Sequence, residues 1–200
     1  MAGIETVAFD FGGVFFTYAY RVLVEDLVKE LDVPFRQAAK AFLNSALDHY
    51  QKGILTETDY WDVFESVIGK NCDRKKLRQI MMDHHEPIPE SWDLVERLRK
   101  KYRVAMLSNH TNWLDEINEK HDFYPLFDPI IISVREGTKK PEERIWQILI
   151  ERSHCAPQQI VMIDDFCWYK HPVEKAGMKF ITYKVPHQLE RDLKALGLEL

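Results

Sequence analysis

Polar side chains with catalytic potential follow several short apolar runs of this sequence. Asp10 lies at the end of the first such run and Ser108 at the end of the second, while Asp164 and Asp165 close a later one. A carboxylate can attack phosphorus directly and form an aspartyl-phosphate, which divides one difficult displacement into two easier ones. Two or three carboxylates around a hard cation suit octahedral Mg²⁺. These residue types therefore indicate magnesium-assisted phosphoryl transfer, with Asp10 as the attacking group.

A lysine and two glycines complete this polar set. Lys140, in the loop that ends at Pro141, can pair with a phosphate oxygen and stabilise charge in the transition state. Ser108 can hydrogen-bond to the same phosphate. Gly12 and Gly13 allow the backbone to approach a ligand closely. Together they predict a phosphate-binding site beside the acidic residues.

Most of these residues also have a purely structural interpretation. An aspartate after a strand is often a turn or helix cap, and Ser108 with Asn109 could also be a cap. Lys140 could be a solvated loop residue. The adjacent Asp164 and Asp165 are harder to explain in this way, because paired like charges are costly without a cation. Their occurrence together, in one chain order, favours the functional interpretation.

Five short apolar runs are the elements that must position these residues. They are rich in β-branched and aromatic residues and do not alternate with polar ones, which is typical of strands covered on both faces. The runs are residues 7–11, 104–108, 129–133, 160–164 and 180–183. Amphipathic helical stretches lie between the last four, at residues 91–101, 141–152 and 172–176. This alternation predicts an α/β fold with a doubly wound, Rossmann-like parallel sheet, whose carboxyl edge carries the polar residues.

A long segment without strand signals separates the first run from the second. Leu23, Leu27 and Leu31 recur at helical spacing, and Thr56 with Asp59 forms a variant of the capping box. Helix breaks are expected at Pro34, Gly53 and Gly69. The simplest architecture is a helical cap, residues 18–87, inserted into an α/β core formed by residues 1–17 and 88–200.

Composition excludes several classes of protein. The formal net charge of −5 argues against a nucleic-acid binder. The cysteines, Cys72, Cys155 and Cys167, are odd in number and include no C-x-x-C pair, which favours a reducing compartment over disulfides or zinc. The sequence shows no signal-peptide pattern at its start and no apolar run of the roughly 18 residues that a membrane span needs. A cytoplasmic protein is expected.

The four polar segments, in this order, resemble the motifs of the haloacid dehalogenase-like hydrolases, a superfamily of aspartate-nucleophile phosphatases. The matching segments are residues 9–14, 107–109, 137–141 and 163–165. The position of the helical cap is also similar. Residues 51–56, followed by Tyr60 and Trp61, resemble the cap of the branch that contains sugar-phosphate phosphatases and the phosphatase domain of soluble epoxide hydrolase.

The resemblance implies a role for each residue of the site. Asp10 is implied as the nucleophile and as a Mg²⁺ ligand, and the Gly12 carbonyl as a ligand of the same ion. Asp165 is implied as the direct carboxylate ligand, with Asp164 binding directly or through water. The implied catalytic residues are Asp10, Lys140 and Ser108. The implied phosphate-binding residues are Ser108, Asn109, Lys140 and Gly13.

Two positions depart from the family pattern. Gly12 stands where the family usually has a second aspartate, which serves as general acid and then as general base. Activity could therefore be slow, because general acid–base catalysis typically contributes ~10²- to 10⁴-fold. Tyr169 replaces a frequent asparagine in an unusually bulky run, residues 166–169. His110 is the nearest candidate in the sequence for a substitute acid or base, although a substrate contact is the simpler expectation.

Three functions stay open at this point. The leading hypothesis is a Mg²⁺-dependent phosphatase for a small phosphorylated metabolite, with no nucleic-acid or membrane partner, acting as a monomer or homodimer. A dehalogenase would use the same nucleophile on carbon, but the paired acids argue against it. A catalytically weakened protein that binds or senses a phosphorylated ligand is suggested by Gly12 and Tyr169.

Overall fold

A parallel β-sheet lies at the centre of the protein, in a computed structural model that describes residues 3–17 and 20–200. Its strands are β1 (Thr6–Phe9), β2 (Arg103–Ser108), β3 (Ile130–Ile132), β4 (Ile160–Asp164) and β5 (Lys179–Thr182). They are ordered β3-β2-β1-β4-β5, and every neighbouring pair is parallel. The chain therefore moves outward from β1 on both sides, as the predicted doubly wound sheet requires.

The helices form two groups according to their position in the chain. The first group lies between β1 and β2 and comprises α1 (Tyr20–Leu31), α2 (Phe35–Phe42), α3 (Ser45–Tyr50), α4 (Glu57–Ile68) and α5 (Arg74–Asp83). The second comprises α6 (Pro89–Leu98), α7 (Trp113–His121), α8 (Ser133–Glu136), α9 (Glu143–Ser153), α10 (Lys170–Lys175) and α11 (Pro186–Ala195). None of the helices in residues 3–17 and 20–200 has both the length and the hydropathy of a membrane span.

Both faces of the sheet are buried. Val7 and Phe9 point into one apolar cluster, while Ala8, between them, belongs to a second cluster on the opposite face with Trp146 and Leu149 of α9. The absence of polar alternation in β1 follows from this double burial, because a strand covered on both faces needs apolar residues at every position. The predicted α/β fold class is confirmed.

Element ends differ in detail from the sequence-based prediction. The first strand ends at Phe9, so Asp10 begins the following loop. Ser133, predicted to end the third strand, is instead the first residue of the short helix α8. The loop predicted to follow that strand therefore begins with a helical turn and becomes irregular after Gly137, whose φ of 68° ends the turn.

The inserted helices pack on one another through a separate apolar cluster. Leu23, Leu27 and Leu31 are buried on one face of α1, as their spacing predicts. A helix break that the sequence analysis missed falls at Asn44, whose Oδ1 accepts a hydrogen bond from the Ala46 amide at 2.7 Å and caps α3.

The predicted capping box begins α4. The Asp59 amide donates to Thr56 Oγ1 at 3.2 Å, and the Thr56 amide donates to Asp59 Oδ2 at 2.8 Å. The helix ends at Gly69, which adopts a φ of 82° that favours glycine. Two helix ends in the insertion were therefore readable from local chemistry alone.

The chain enters and leaves the inserted helices at adjacent points. The Thr17 amide donates to the Glu86 carbonyl at 2.8 Å, and the Ile88 amide donates to the Phe15 carbonyl at 2.8 Å. We propose on this basis that the cap comprises residues 18–87, with the core on either side. Phe16, between these contacts, is buried in the cluster on one sheet face.

Candidate active site

Parallel register brings the predicted polar residues to one edge of the sheet. Phe9 pairs with Met106 on one side and with Ile163 on the other, so the residues that follow each strand are neighbours. The carboxylates of Asp10, Asp164 and Asp165 each place an oxygen within 4.8 Å of the other two. Three acidic groups therefore share one small volume at the carboxyl edge.

Lys140 is the cation at the centre of this cluster. Its Nζ lies 2.8 Å from Asp10 Oδ1 and 2.5 Å from Asp164 Oδ2, and its side chain is 1% exposed. Burial alone would lower the pKa of Lys140, but attraction and hydrogen bonds from Asp10 and Asp164 raise it above its usual range. Lys140 is therefore charged at neutral pH. The ring of Tyr169 lies over the ammonium, with Nζ 5.2 Å from its centroid.

The three carboxyl groups carry more negative charge than one lysine balances. Burial raises the pKa of Asp10, although Lys140 opposes the shift. Burial and the Asp10 carboxylate raise the pKa of Asp164 to about 6. Burial and Asp164 raise the pKa of Asp165 to about 6. A site with an excess of buried carboxylates is electrostatically suited to a further cation.

Asp164 and Asp165 differ in the hydrogen bonds that their carboxylates receive from the protein. Asp164 is fully buried, accepts from Lys140 through Oδ2 and accepts from the Phe166 amide through Oδ1 at 2.8 Å. Oδ1 of Asp165 is buried and finds no hydrogen-bond partner among the described residues. A hard divalent cation would supply the missing partner, so this donor set fits Mg²⁺ and leaves Asp165 as the more available ligand.

Gly13 permits the position of Asp165. A β-carbon at Gly13 would overlap the Asp165 carboxylate, and the φ of 72° is one that other residues rarely adopt. Gly12, in contrast, has no atom of the described residues within 4 Å of where its β-carbon would lie. The space that a second motif-one carboxylate would occupy is thus open.

Asn109 binds the backbone of the lysine loop. Its Nδ2 donates to the Lys140 carbonyl at 2.9 Å, and the Lys140 amide donates to its Oδ1 at 2.8 Å. This reciprocal pair joins the end of β2 to Lys140 and holds the lysine in register with Asp10. The Asn109 side chain is therefore a positioning group, a use that the sequence did not indicate. Ser108, the last residue of β2, is 2% exposed and lines the cleft in front of Asp10.

His110 is a neutral imidazole at pH 7. Burial and the nearby His85 lower its pKa to about 4. Because a carbonyl can only accept, Nδ1 donates to the Thr111 carbonyl at 3.1 Å, and Nε2 is left as an acceptor. Nε2 therefore has no proton to give a leaving group, and the low pKa makes it a weak base, so substrate contact is the interpretation that fits His110 best.

The cleft in front of Asp10 also contains residues from the insertion. Its volume is about 1030 Å³, and Gln51 and His85 line it together with apolar side chains of the inserted helices. The α3 end is tied to the lysine loop by ion pairs of Lys52 with Glu142 and of Asp48 with Lys139, the latter at 2.5 Å. Neither residue lies near a strand end, so the sequence analysis did not identify Gln51 or His85 as a site residue.

Residues 4–168 match the family of haloacid dehalogenase-like hydrolases. The chain belongs to this family. The match spans all four polar segments, so the predicted family is confirmed, and the site described above occupies the carboxyl edge of a haloacid dehalogenase-like core.

Curated relatives of this haloacid dehalogenase-like chain include one that is matched over most of its length and one that is matched over a small part of it. The D-ribitol-5-phosphate phosphatase of Bacteroides thetaiotaomicron is 27% identical over 180 residues, covering 81% of this chain and 83% of that protein. The bifunctional epoxide hydrolase 2 of Sus scrofa is 28% identical over 110 residues, covering 51% of this chain. The matched part is only 20% of the length of the epoxide hydrolase.

Solved structures with this fold include further haloacid dehalogenase-like enzymes. One from Bacteroides thetaiotaomicron, a mutant in complex with magnesium and inorganic phosphate, has a TM-score of 0.81 at 22% identity, covering 91% of this chain and 95% of that one. An L-2-haloacid dehalogenase has a TM-score of 0.66 at 16% identity, covering 90% of this chain and 86% of the other. At these identities the likeness establishes the fold alone.

Proposed function

We propose that this hydrolase is a Mg²⁺-dependent phosphatase that cleaves a small phosphomonoester through an aspartyl-phosphate on Asp10. The observation that carries the proposal is the buried ammonium of Lys140, held between Asp10 at 2.8 Å and Asp164 at 2.5 Å beside the unsatisfied Asp165. The activity named for the Bacteroides relative, a sugar-phosphate phosphatase, supports the same reaction.

The chain's own residues supply most of the reaction. Asp10 attacks phosphorus, a new O–P bond forms, and the bond from phosphorus to the leaving-group oxygen breaks. Lys140 neutralises the transferring phosphoryl group and keeps the Asp10 carboxylate ionised, while the Ser108 hydroxyl is available to bind a phosphoryl oxygen. Water then attacks the aspartyl-phosphate, releasing phosphate and restoring Asp10. Asn109 maintains the alignment of Lys140 throughout.

A divalent cation fits beside these groups. Asp10, Asp164, Asp165 and the Gly12 carbonyl are the residues that would hold it, with Asp165 as the most available carboxylate. When bound, Mg²⁺ supplies charge neutralisation for the phosphoryl group. Without it, three carboxylates, two of them buried, would face an anionic substrate with Lys140 to offset them.

This mechanism lacks a side chain that can protonate the leaving group. Gly12 offers no side chain, and His110 is neutral with Nε2 unprotonated. The leaving-group oxygen must therefore take its proton from water, so we expect turnover to be slow for leaving groups of high pKa.

Replacing Asp10 tests the proposal directly. We expect Asp10→Asn to reduce Mg²⁺-dependent hydrolysis of p-nitrophenyl phosphate by at least about 10³-fold, because the amide is a far weaker nucleophile. EDTA should have a similar effect on the unsubstituted enzyme, and Mg²⁺ should reverse it. Phosphate release by Asp10→Asn at an unchanged rate would exclude the covalent mechanism.

Two other functions predict different outcomes of the same assays. A dehalogenase would release halide from a 2-haloacid without Mg²⁺, and the paired acids Asp164 and Asp165, which suit a cation, argue against it. A ligand-sensing protein, favoured by the open space at Gly12, would be thermally stabilised by a phosphomonoester without turning it over. Phosphate release that depends on both Asp10 and Mg²⁺ separates the phosphatase from both.

A further inference from the structure

The cleft beyond the phosphate-binding end has a largely apolar wall. The wall combines aliphatic and aromatic side chains from four inserted helices and from the start of α7. These are Leu23, Phe42, Leu47, Met81 and Trp113. Building on the proposed phosphatase function, we propose that the substrate is a phosphomonoester of an uncharged, largely apolar alcohol, rather than a sugar or polyol phosphate.

The inserted helices place no formal charge at the cleft. Among their described residues that line it, none is an aspartate, glutamate, lysine or arginine. His85, just beyond α5, lines the cleft as well, but burial lowers its pKa, so it is neutral at pH 7. On the side of the insertion the leaving group consequently meets no ionic partner, since Lys139 and Lys184, which also line the cleft, belong to the core.

Two polar side chains of this wall, Gln51 and His85, are already engaged, and the hydroxyl groups of Thr17 and Tyr20 are the others on the side of the insertion. Gln51 accepts from Lys139 Nζ at 2.9 Å and donates to the Asn109 carbonyl at 3.4 Å. Nδ1 of His85 donates to the Met82 carbonyl at 3.1 Å. A polyol chain would bring several hydroxyl groups into contact with a wall that can pair few of them, and each unpaired hydroxyl costs binding energy. Methylene or aromatic groups carry no such cost.

The apolar character continues to the surface. Leu43 and Phe166 line the same cleft and are 55% and 39% exposed, so the apolar lining does not end inside the protein. With a volume of about 1030 Å³, the cleft is at the upper end of ordinary ligand pockets, roughly 300–1,000 Å³. The space therefore accommodates a leaving group larger than a short polyol, extending from Asp10 toward Leu43.

A series of n-alkyl phosphates tests this inference. We expect kcat/KM to rise about two- to fourfold per added methylene from ethyl to octyl phosphate, because each buried methylene contributes transfer free energy. Ribitol 5-phosphate should be hydrolysed less efficiently than pentyl phosphate, which has the same number of carbons. The assay measures the release of inorganic phosphate by the full chain with Mg²⁺ present.

Two substitutions connect the chain-length effect to the wall. Leu47→Gln and Leu43→Gln should flatten the rise of kcat/KM with chain length. Ile54→Gln is the matched control, since Ile54 is 61% exposed, similar to Leu43, but does not line the cleft. Because Leu43 is mostly exposed, its variant keeps the test valid even if Leu47→Gln fails to fold.

The outcomes separate this inference from the function on which it rests. A flat chain-length profile, or faster hydrolysis of ribitol 5-phosphate than of pentyl phosphate, overturns the apolar substrate class and leaves the phosphatase intact. An equal loss of the chain-length effect in Ile54→Gln also overturns the assignment of the wall. Failure of every phosphomonoester to react overturns the phosphatase itself.

Discussion

At the scale of single residues, Gly12 sets this site apart. The second residue after the nucleophile carries no side chain, and no atom of residues 3–17 and 20–200 lies near the place that its β-carbon would take. Its backbone does not adopt the left-handed conformation that requires glycine, so a larger residue can be introduced without strain.

Gly12→Asp should therefore restore a proton donor. We expect kcat for alkyl phosphates to rise by about tenfold or more, within the ~10²- to 10⁴-fold range that general acid–base catalysis typically supplies. The gain should be much smaller for p-nitrophenyl phosphate, whose leaving group needs no proton. Gly12→Asn is the control, because it fills the same space without an ionisable group; equal rates for the two variants would refute this account.

Some features of the site could be predicted from the sequence at the residue scale, and others could not. Asp10, Ser108, Lys140 and the paired aspartates were expected to meet because the carboxyl ends of parallel strands share one edge. The use of the Asn109 side chain to hold Lys140 was not foreseeable, since it depends on two loops 31 residues apart in the chain. Local sequence places residues at strand ends but does not say which backbone an amide will bind.

At the scale of elements, helix ends could be predicted from local sequence, whereas the packing of helices against distant segments could not. The capping box at Thr56 and the end of α4 at Gly69 were readable because their hydrogen bonds join residues within one turn. The break at Asn44 was missed, and so was the contribution of Gln51 to the cleft. The cap at Asn44 is local, since its Oδ1 accepts from the Ala46 amide, whereas the place of Gln51 depends on how the end of α3 packs against the distant lysine loop.

Loss of the capping box should lower the stability of the protein without changing its activity. Thr56→Ala removes the hydroxyl that accepts from the Asp59 amide, and loss of an N-cap typically costs about 0.5–2 kcal/mol. We expect Tm to fall by roughly 2–4 °C per kcal/mol for a chain of this size. Thr56→Ser should keep most of the stability. Neither variant should change kcat, since no residue of α4 lines the cleft; a matching loss of kcat would show that α4 influences the site.

At the scale of the whole molecule, the excess of buried carboxylates couples folding to pH and to cations. Asp164 and Asp165 have pKa values of about 6 in the folded protein, above their ordinary value of 3.8. A group whose folded pKa is raised stabilises the fold below its unfolded pKa, and that contribution is lost as pH rises through the folded pKa. Without a cation, these two groups thus favour folding below about pH 4 and lose that contribution by about pH 6.

Mg²⁺ should reverse this trend, because it binds the ionised carboxylates that the folded protein otherwise disfavours. We expect saturating Mg²⁺ to raise Tm by several degrees at about pH 7.5 and by much less at about pH 5, where protons compete for the same oxygens. Thermal unfolding with MgCl₂ against NaCl at equal ionic strength measures the difference. Asp165→Asn should remove most of it, and an equal Mg²⁺ effect at both pH values would contradict a carboxylate site.

The paired connections at the boundary of the insertion have an evolutionary consequence. The amides of Thr17 and Ile88 bond to Glu86 and Phe15, so seventy residues, 18–87, depart from the core and return to it at nearly one point. A shorter or differently folded segment could span the same gap without altering the register of β1 or the position of Asp10. The chain connections therefore leave the insertion free to change, and the contacts that must stay matched are those of the α3 end with the lysine loop, such as the ion pair of Asp48 with Lys139.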